Sequence, residues 1–308
     1  MPVSISHPDR YAVIGNPIAQ SKSPTIHSMF AQATHQHMVY TKIESPLDGF
    51  AATVDAFRAE SAGGKACNNF DKACNNFGNA CNNFGKACGL NITAPFKLDA
   101  FAYATQRSER AQLVGAANAL KFERTAQGVL VMADNFDGIG LVRDVVHNLA
   151  CSLAGQRVLV IGAGGATRGA LLPLLAENPA RLVVANRTVA TAQALAAMVA
   201  AHGSVQAMAY PELQGQAFDV VFNATSASLR AELPPLPASV FAPGCLAYDL
   251  AYGKGLTPFL LLARSAGAEQ LADGVGMLVE QAAEAFAWWR GVRPATRAVI
   301  DQITVPLV

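Results

Sequence analysis

The sequence predicts an α/β fold in which the strands of a largely parallel sheet alternate with helices, and two stretches carry that prediction. Val158-Leu159-Val160-Ile161 is a short, wholly apolar run rich in β-branched residues, as expected of a strand buried on both faces of a parallel sheet. It runs into the turn Gly162-Ala163-Gly164-Gly165-Ala166-Thr167, after which residues 169–176 carry apolar side chains around a helix and Leu182-Val183-Val184-Ala185 supplies the next strand. Earlier in the chain the alternation repeats: Tyr11-Ala12-Val13-Ile14-Gly15 reads as a strand, residues 25–36 as a helix and residues 39–43 as a strand. With 308 residues, 52% of them hydrophobic and 15% charged, the chain has core enough for one large or two ordinary domains.

Composition excludes several classes of partner. A net charge of +1 leaves no electrostatic footprint for nucleic acid or an anionic membrane. No apolar run approaches the ~18 residues that a membrane span needs. Met1-Pro2-Val3-Ser4 lacks the basic region and apolar core of a signal segment, so a cytoplasmic protein is expected. Of the six cysteines, Cys67, Cys74, Cys81 and Cys88 belong to a repeat, and all six are read as free thiols.

After the first strand, the loop Asn16-Pro17-Ile18-Ala19-Gln20-Ser21-Lys22-Ser23-Pro24 leads into the first helix. Pro24 suits a helix's first turn and Ser23 its N-cap. Capping is the simpler reading; the other is that Ser21 and Ser23, at a strand's C-terminal edge, hold a small polyol or carboxylate. Residues 47–59 predict a helix with Leu47, Phe50, Ala51, Val54 and Phe57 on its apolar face. The pattern then breaks into a seven-residue repeat, from Gly64-Lys65-Ala66-Cys67-Asn68-Asn69-Phe70 to Gly85-Lys86-Ala87-Cys88. Paired Asn and recurring Gly are poor helix formers, and the cysteine spacing is unlike the close pairs of a zinc site. Residues 67–87 are therefore read as an expanded, mobile loop insertion that binds no metal, whose excision would restore an ordinary turn into a strand.

Order returns at Gly89-Leu90-Asn91-Ile92-Thr93, a strand, and the turn Ala94-Pro95-Phe96 sets Lys97 just beyond it, where ligands bind in open α/β sheets. Residues 108–114 predict a helix, and residues 115–120 turn into a strand whose one polar side chain is Asn118. Asp134-Asn135-Phe136-Asp137-Gly138 opens a helix with the stripe Leu141, Val142, Val145, Val146 and Leu149; Asp137 is placed to cap it.

The glycine turn at residue 162 now gains its chemical meaning. In a dinucleotide fold the first glycine makes the tight turn, the second lets backbone approach a pyrophosphate, and that anion sits on the free N–H groups opening the helix. Gly162, Ala163, Gly164, Gly165 and Ala166 form such a turn, with Thr167 at the third fingerprint position. The second strand ends in Asn186-Arg187-Thr188, where an NAD-binding chain usually places an acid for the ribose hydroxyls. Arg187 can instead grip a 2′-phosphate, with Asn186 and Thr188 as further donors, so NADP is preferred; the plainer alternative is a solvated Arg in some other doubly wound domain. Downstream, residues 218–222 form a strand ending at Asn223-Ala224-Thr225-Ser226, and residues 246–250 another ending at Ala251-Tyr252-Gly253. Asp273-Gly274-Val275-Gly276 begins a last long helix on which Met277, Leu278, Gln281, Ala285 and Trp288 share a face. A Gln in such a stripe either buries a satisfied hydrogen bond or points at a ligand.

With these motifs in this order, the chain resembles the shikimate dehydrogenase family over nearly its whole length apart from the repeat. The resemblance implies reversible NADPH-dependent reduction of 3-dehydroshikimate to shikimate, in two α/β domains across a cleft: residues 1–135 with 274–308 for the substrate, and a Rossmann-like domain of residues 136–273 for NADP. It implies that Lys97 and Asp137 are the catalytic pair, and that Ser21, Ser23, Asn91, Thr93, Asn118, Tyr252 and Gln281 hold the substrate. It further implies that residues 162–166, Asn186, Arg187, Thr188, Thr225 and Gly274 hold NADP, in a monomer or homodimer. Two departures stand out: Phe136 replaces a Thr whose hydroxyl is expected to contact substrate, and the repeat precedes the strand carrying Asn91 and Thr93. They leave two alternatives, an NAD-accepting quinate/shikimate dehydrogenase and a weakly active or non-catalytic relative.

Overall fold

A computed structural model describes residues 7–59, 85–126, 128–253 and 255–307. The chain divides into two compact units, Met1–Asn135 with Ala285–Ala295, and Phe136–Glu284 with Thr296–Val308. Residues 60–84, which hold most of the repeat and of the 67–87 insertion, lie outside the described residues. The last four residues of the repeat are within them: Gly85 N–H donates to the Pro8 carbonyl at 3.0 Å, and Arg10 N–H to the Lys86 carbonyl at 2.9 Å.

The first unit holds a mixed six-stranded sheet. Its strands are β1 (Asp9–Gly15), β2 (Met38–Glu44), β3 (Ala87–Ile92), β4 (Gln106–Arg107), β5 (Ala119–Thr125) and β6 (Gly128–Asp134), in the order β2-β1-β3-β5-β6-β4. β1 pairs in parallel with β2 and β3, whereas β5 runs antiparallel to both β3 and β6. Ala12, Ile14, Leu90, Ile92 and Leu120 of the sheet close on Phe50, Val54 and Phe57 of the helix Phe50–Ala59. Leu47, expected on that apolar face, precedes the helix and is exposed.

Helix Ser23–Ala33 corrects a second expectation. Its N-cap is Lys22 and no side chain caps it, so the Ser23 hydroxyl is not spent on the helix end. The helix buries Ile26, His27 and Phe30. His27 stacks on Tyr40 with ring centroids 4.2 Å apart and planes 6° apart, and lies 5.4 Å from the Trp289 ring. Neither imidazole nitrogen has a hydrogen-bond partner.

The second unit holds an all-parallel sheet of β7 (Arg157–Ile161), β8 (Arg181–Ala185), β9 (Gln206–Met208), β10 (Phe218–Asn223), β11 (Phe241–Asp249) and β12 (Gln270–Asp273). Their order, β12-β11-β10-β7-β8-β9, is the doubly wound one: the chain leaves β7 toward one edge, returns, and leaves β10 toward the other. The ends of β7 and β10 therefore flank the switch point where such sheets bind ligands. The helices Asp137–Arg143 and Gly165–Ala176 cross at glycines, since a Cβ on Gly138 would collide with the Gly169 carbonyl.

Residues 274–284 and 296–307, expected with the first domain, group instead with this unit. The physical reason is Glu280, a carboxylate 2% exposed that accepts from Arg143 Nε at 3.2 Å, Asn148 Nδ2 at 3.0 Å and Thr296 Oγ1 at 2.6 Å. The helical stripe expected through Leu149 also changes, because Asp144–Asn148 is a turn of π-helix. Asp144 is buried there, accepting from Tyr248 OH at 2.8 Å and Asn148 Nδ2 at 2.9 Å. In helix Val275–Arg290 the most deeply buried side chains include Val279, Ala282 and Phe286, while Met277, Leu278, Gln281 and Trp288 are partly exposed.

Burial gives His27 a measurable consequence. Desolvation pushes its pKa down to about 3, with the Asn91 side chain working the other way. The unfolded imidazole titrates at its ordinary value of about 6.5. Between these values the unfolded chain binds more protons, so stability is complete above about pH 6.5 and falls toward pH 3 by up to about 1.4 kcal/mol per pH unit. His27→Phe, which keeps an aromatic ring against Tyr40, is expected to remove about one proton from that slope. Denaturant unfolding at pH 7, 6 and 5 measures it, and equal slopes for the two proteins would contradict a neutral buried imidazole.

Candidate active site

In the first unit, the side chains nominated for substrate collect at the C-terminal ends of β1 and β3 and the start of β5. Ser21 Oγ donates to Ser23 Oγ at 3.2 Å and accepts the Ser23 N–H at 3.3 Å. Asn91, only 5% exposed, accepts from Tyr40 OH at 2.6 Å through Oδ1 and donates from Nδ2 to the Asn118 carbonyl at 3.4 Å. Thr93 hangs on β1 through its N–H to the Ile14 carbonyl at 2.9 Å. Its methyl lies where a Cβ on Gly15 would be, which explains the glycine ending β1. Asn118 is buried, with its N–H on the Asp134 carbonyl at 3.1 Å. Lys97 opens the helix Lys97–Tyr103, and its carbonyl accepts Ala117 N–H at 2.9 Å. Asp134 anchors this side of the sheet by accepting Arg110 Nη2 at 2.6 Å, Ser108 Oγ at 2.5 Å and Asn135 N–H at 2.7 Å.

In the second unit, the glycine turn follows β7 as expected. Gly162 takes φ +98, a conformation glycine adopts readily. A Cβ on Gly164 or Gly165 would meet no atom within 4 Å, so protein packing does not require glycine there. The N-cap Gly164 supplies no capping side chain to helix Gly165–Ala176, whose opening N–H groups can serve an anion. Thr167, at the third fingerprint position, is buried and donates from Oγ1 to the Gly162 carbonyl at 2.7 Å, closing the turn from within. Thr225 packs against Gly162 and donates from its hydroxyl to Asn223 Oδ1 at 2.7 Å.

Beyond β8, Asn186 Nδ2 donates to the Thr188 carbonyl at 2.9 Å, shaping the loop. Arg187 is exposed and has no hydrogen-bond or ion-pair partner among the described residues. It borders a cavity of about 640 Å³ whose other walls include Tyr210, Pro211 and the segment 233–237. The Tyr210 phenol is raised in pKa by burial, and the Arg187 charge opposes that shift. The donor set, open backbone and unpaired cation fit NADP: residues 162–166 toward the pyrophosphate, Arg187 toward a 2′-phosphate.

Asp137 is the first residue of its helix rather than the N-cap, which is Phe136, and no side chain caps that helix. Phe136 is buried at 3% exposure. Gln281 donates from Nε2 to the Leu278 carbonyl at 2.9 Å, so its carboxamide has one bond inside its own helix. Gly274 must be glycine, because a Cβ there would collide with the Leu250 carbonyl. Tyr252 is 43% exposed. Lys97 thus falls in the first unit and Asp137, Tyr252 and Gln281 in the second. Sequence reasoning missed Tyr40, Tyr210 and Asp134, each of which acts through partners distant in sequence. It also missed the role of Asp249, buried and accepting from Ser228 Oγ at 2.5 Å, Thr257 Oγ1 at 2.6 Å, Asn223 Nδ2 at 3.2 Å and Ala251 N–H at 3.1 Å. Among the described residues no cluster of three or more His, Cys, Asp or Glu could hold a metal ion, and no helix is long and apolar enough to cross a membrane.

Comparison with known proteins places this arrangement. A model of the shikimate dehydrogenase substrate binding domain matches residues 13–69 and 65–120, two pieces that meet at the repeat. Models of shikimate/quinate 5-dehydrogenase and of the shikimate 5'-dehydrogenase C-terminal domain match residues 144–231 and 274–304. The chain is 50% identical over 295 residues to the shikimate dehydrogenase (NADP(+)) of Nitrosospira multiformis, covering 96% of this chain and 97% of that one. Its backbone is similar to the crystal structure of an Ael1 enzyme from Pseudomonas putida, with TM-score 0.85 and 57% identity, covering 97% of this chain and 100% of that one. It is also similar to the shikimate 5-dehydrogenase of Thermus thermophilus solved with NADP(H) and shikimate, with TM-score 0.74 and 26% identity, covering 95% of this chain and 97% of that one. The chain belongs to the shikimate dehydrogenase family.

Proposed function

We propose that this chain catalyses the reversible NADPH-dependent reduction of 3-dehydroshikimate to shikimate, with residues 1–135 forming the substrate side and the parallel-sheet unit binding NADP. The observation that carries the reading is the polar set Ser21, Ser23, Asn91, Thr93 and Asn118 gathered at one end of a sheet, in a chain half identical to an NADP(+)-dependent shikimate dehydrogenase. A carboxylate and hydroxyls on one small ring need many donors and acceptors in a small volume, which this set supplies. Resemblance to the family adds Tyr252 and Gln281 to the residues that hold the substrate. When bound, NADPH supplies the hydride. Lys97 stabilises the negative charge that grows on the carbonyl oxygen and supplies the proton that completes the hydroxyl, and Asp137 is the second catalytic residue that resemblance to the family assigns. In the reverse direction Lys97 takes the proton back. The protein acts in the cytoplasm as a monomer or homodimer; light scattering of the purified protein decides between the two.

Arg187→Ala is expected to weaken NADP binding by about 10 to 100-fold and NAD binding by less than about threefold, since only NADP carries the 2′-phosphate. Titration of both cofactors measures this, and equal losses would remove Arg187 from that role. Lys97→Ala is expected to lower kcat by about 10² to 10⁴ with the NADP dissociation constant unchanged, because its charge serves the transition state. Steady-state oxidation of shikimate tests it; a near-parental kcat would rule the ammonium out as the proton donor.

Phe136 sits beside Asp137 where a hydroxyl-bearing residue is expected for this substrate. A hydrogen bond restored to a buried substrate hydroxyl recovers about 1 to 3 kcal/mol. Phe136→Thr is therefore expected to raise kcat/KM for shikimate by about 10 to 100-fold. Because the ring it removes is buried, the same variant should lose about 2 to 4 kcal/mol of stability. Kinetics and denaturant unfolding on one preparation read both; lower kcat/KM in the Thr variant would favour a substrate other than shikimate.

A further inference from the structure

Asn91 can hold its carboxamide in two orientations that differ by exchange of O and N, and only one offers a substrate oxygen an N–H donor. The group set against this carboxamide is the Tyr40 hydroxyl. Tyr40 lies on β2, two strands from β3, and its hydroxyl reaches Asn91 Oδ1 at 2.6 Å inside the core. A phenol has one proton, so giving it to Oδ1 leaves the carboxamide N–H groups to point elsewhere. One of them makes only a long bond, 3.4 Å, to the Asn118 carbonyl. The Ser23 hydroxyl acts on the same phenol, opposing the upward pKa shift that burial imposes on it. Tyr40 therefore stands behind Asn91. Its ring is held face to face by His27 at 4.2 Å, with Trp289 at 6.5 Å. An imidazole with neither nitrogen hydrogen-bonded, 0% exposed, serves here as an aromatic plate rather than as an acid or base.

We propose that Tyr40 is a positioning residue for substrate binding: its hydroxyl fixes the Asn91 carboxamide with the N–H donors toward the substrate. The inference rests on the reading of this end of the sheet as the shikimate side. Tyr40 does not touch the reacting atoms, so it acts on how the substrate is held rather than on hydride or proton transfer.

Tyr40→Phe keeps the ring and its stack on His27 and removes only the hydroxyl. Freed to rotate, Asn91 presents its oxygen part of the time to substrate groups that need a donor, a loss felt equally in the ground and transition states. Such a loss raises KM and spares kcat. The KM for shikimate is expected to rise about tenfold, kcat to stay within about twofold, and the KM for NADP to stay unchanged. In an Asn91→Ala background, where no carboxamide remains to orient, Tyr40→Phe should change shikimate affinity by less than about twofold. A general loosening of the fold would instead move both cofactor and substrate constants and persist in that background. If parental protein oxidises shikimate and Tyr40→Phe keeps the parental KM, the proposal fails alone; if the parental protein neither binds nor oxidises shikimate, the functional reading falls and takes the proposal with it.

Discussion

The parallel-sheet unit of this protein depends on one buried carboxylate. Asp249 ends β11 with no exposed surface, and a charge so placed is tolerable only where donors replace the water it has lost. Four donors do so, from Asn223, Ser228, Ala251 and Thr257. They belong to the end of β10, the loop after it and the loop after β11, so those segments cannot separate without stranding the charge. Because a carboxylate only accepts, Asn223 must turn its Nδ2 toward Asp249 and its Oδ1 the other way. That oxygen receives the N–H and hydroxyl of Thr225, and Thr225 in turn packs on Gly162. The wall of the glycine turn is thus set by a residue two strands away from β7, across β10.

The same logic operates in the other half with a different group. Tyr40 does for Asn91 what Asp249 does for Asn223, and in both cases a carboxamide is forced into one of its two orientations by a partner far along the chain. The two partners differ in strength. The carboxylate anchors the Ala251 N–H as well as three side chains, so its removal would cost fold stability, whereas the phenol contributes one proton and its removal leaves the packing in place. A scaffold element and a tuning element can therefore use one geometric device.

Much of the architecture was legible because it rests on local chemistry. Val158 to Ile161 could only be a doubly buried strand, and the glycines after it only a sharp turn, whatever the rest of the chain did. Lys97 and Asn118 were nominated by their position just past or beside a strand end, which the structure has at Ile92 and Ala119. Asn186, Arg187 and Thr188 were nominated because no acid stands there. What escaped had partners that spacing does not encode. Ser23 has the look of an N-cap, yet its hydroxyl is engaged by Ser21, and the helix begins one residue earlier than a cap would allow. The stripe Leu141, Val142, Val145, Val146 and Leu149 gave no sign of Asp144, which a π turn buries against Tyr248 of β11. The domain to which residues 274–284 belong was hidden for the same reason, since Glu280 is drawn by Arg143 and Asn148 rather than by anything near it in sequence.

A pattern follows for polar residues in buried sites. Hydrophobic periodicity reveals where a side chain points, but it carries no information about which way a hydrogen bond runs. Direction is decided most firmly by the member of a cluster that cannot donate at all, a carboxylate. Hydroxyls and carboxamides, which can do either, then take the role left to them by their neighbours. In this chain the adaptable residues Ser21, Ser23, Asn91 and Asn223 lie at or just past the C-terminal ends of strands and are visible as motifs. Their partners Tyr40 and Asp249 sit 51 and 26 residues away in sequence and look like ordinary strand residues. The part of a binding site most exposed to sequence reading is accordingly the part whose behaviour is set elsewhere, and a buried Tyr or Asp at a strand end is where its determinant should be sought.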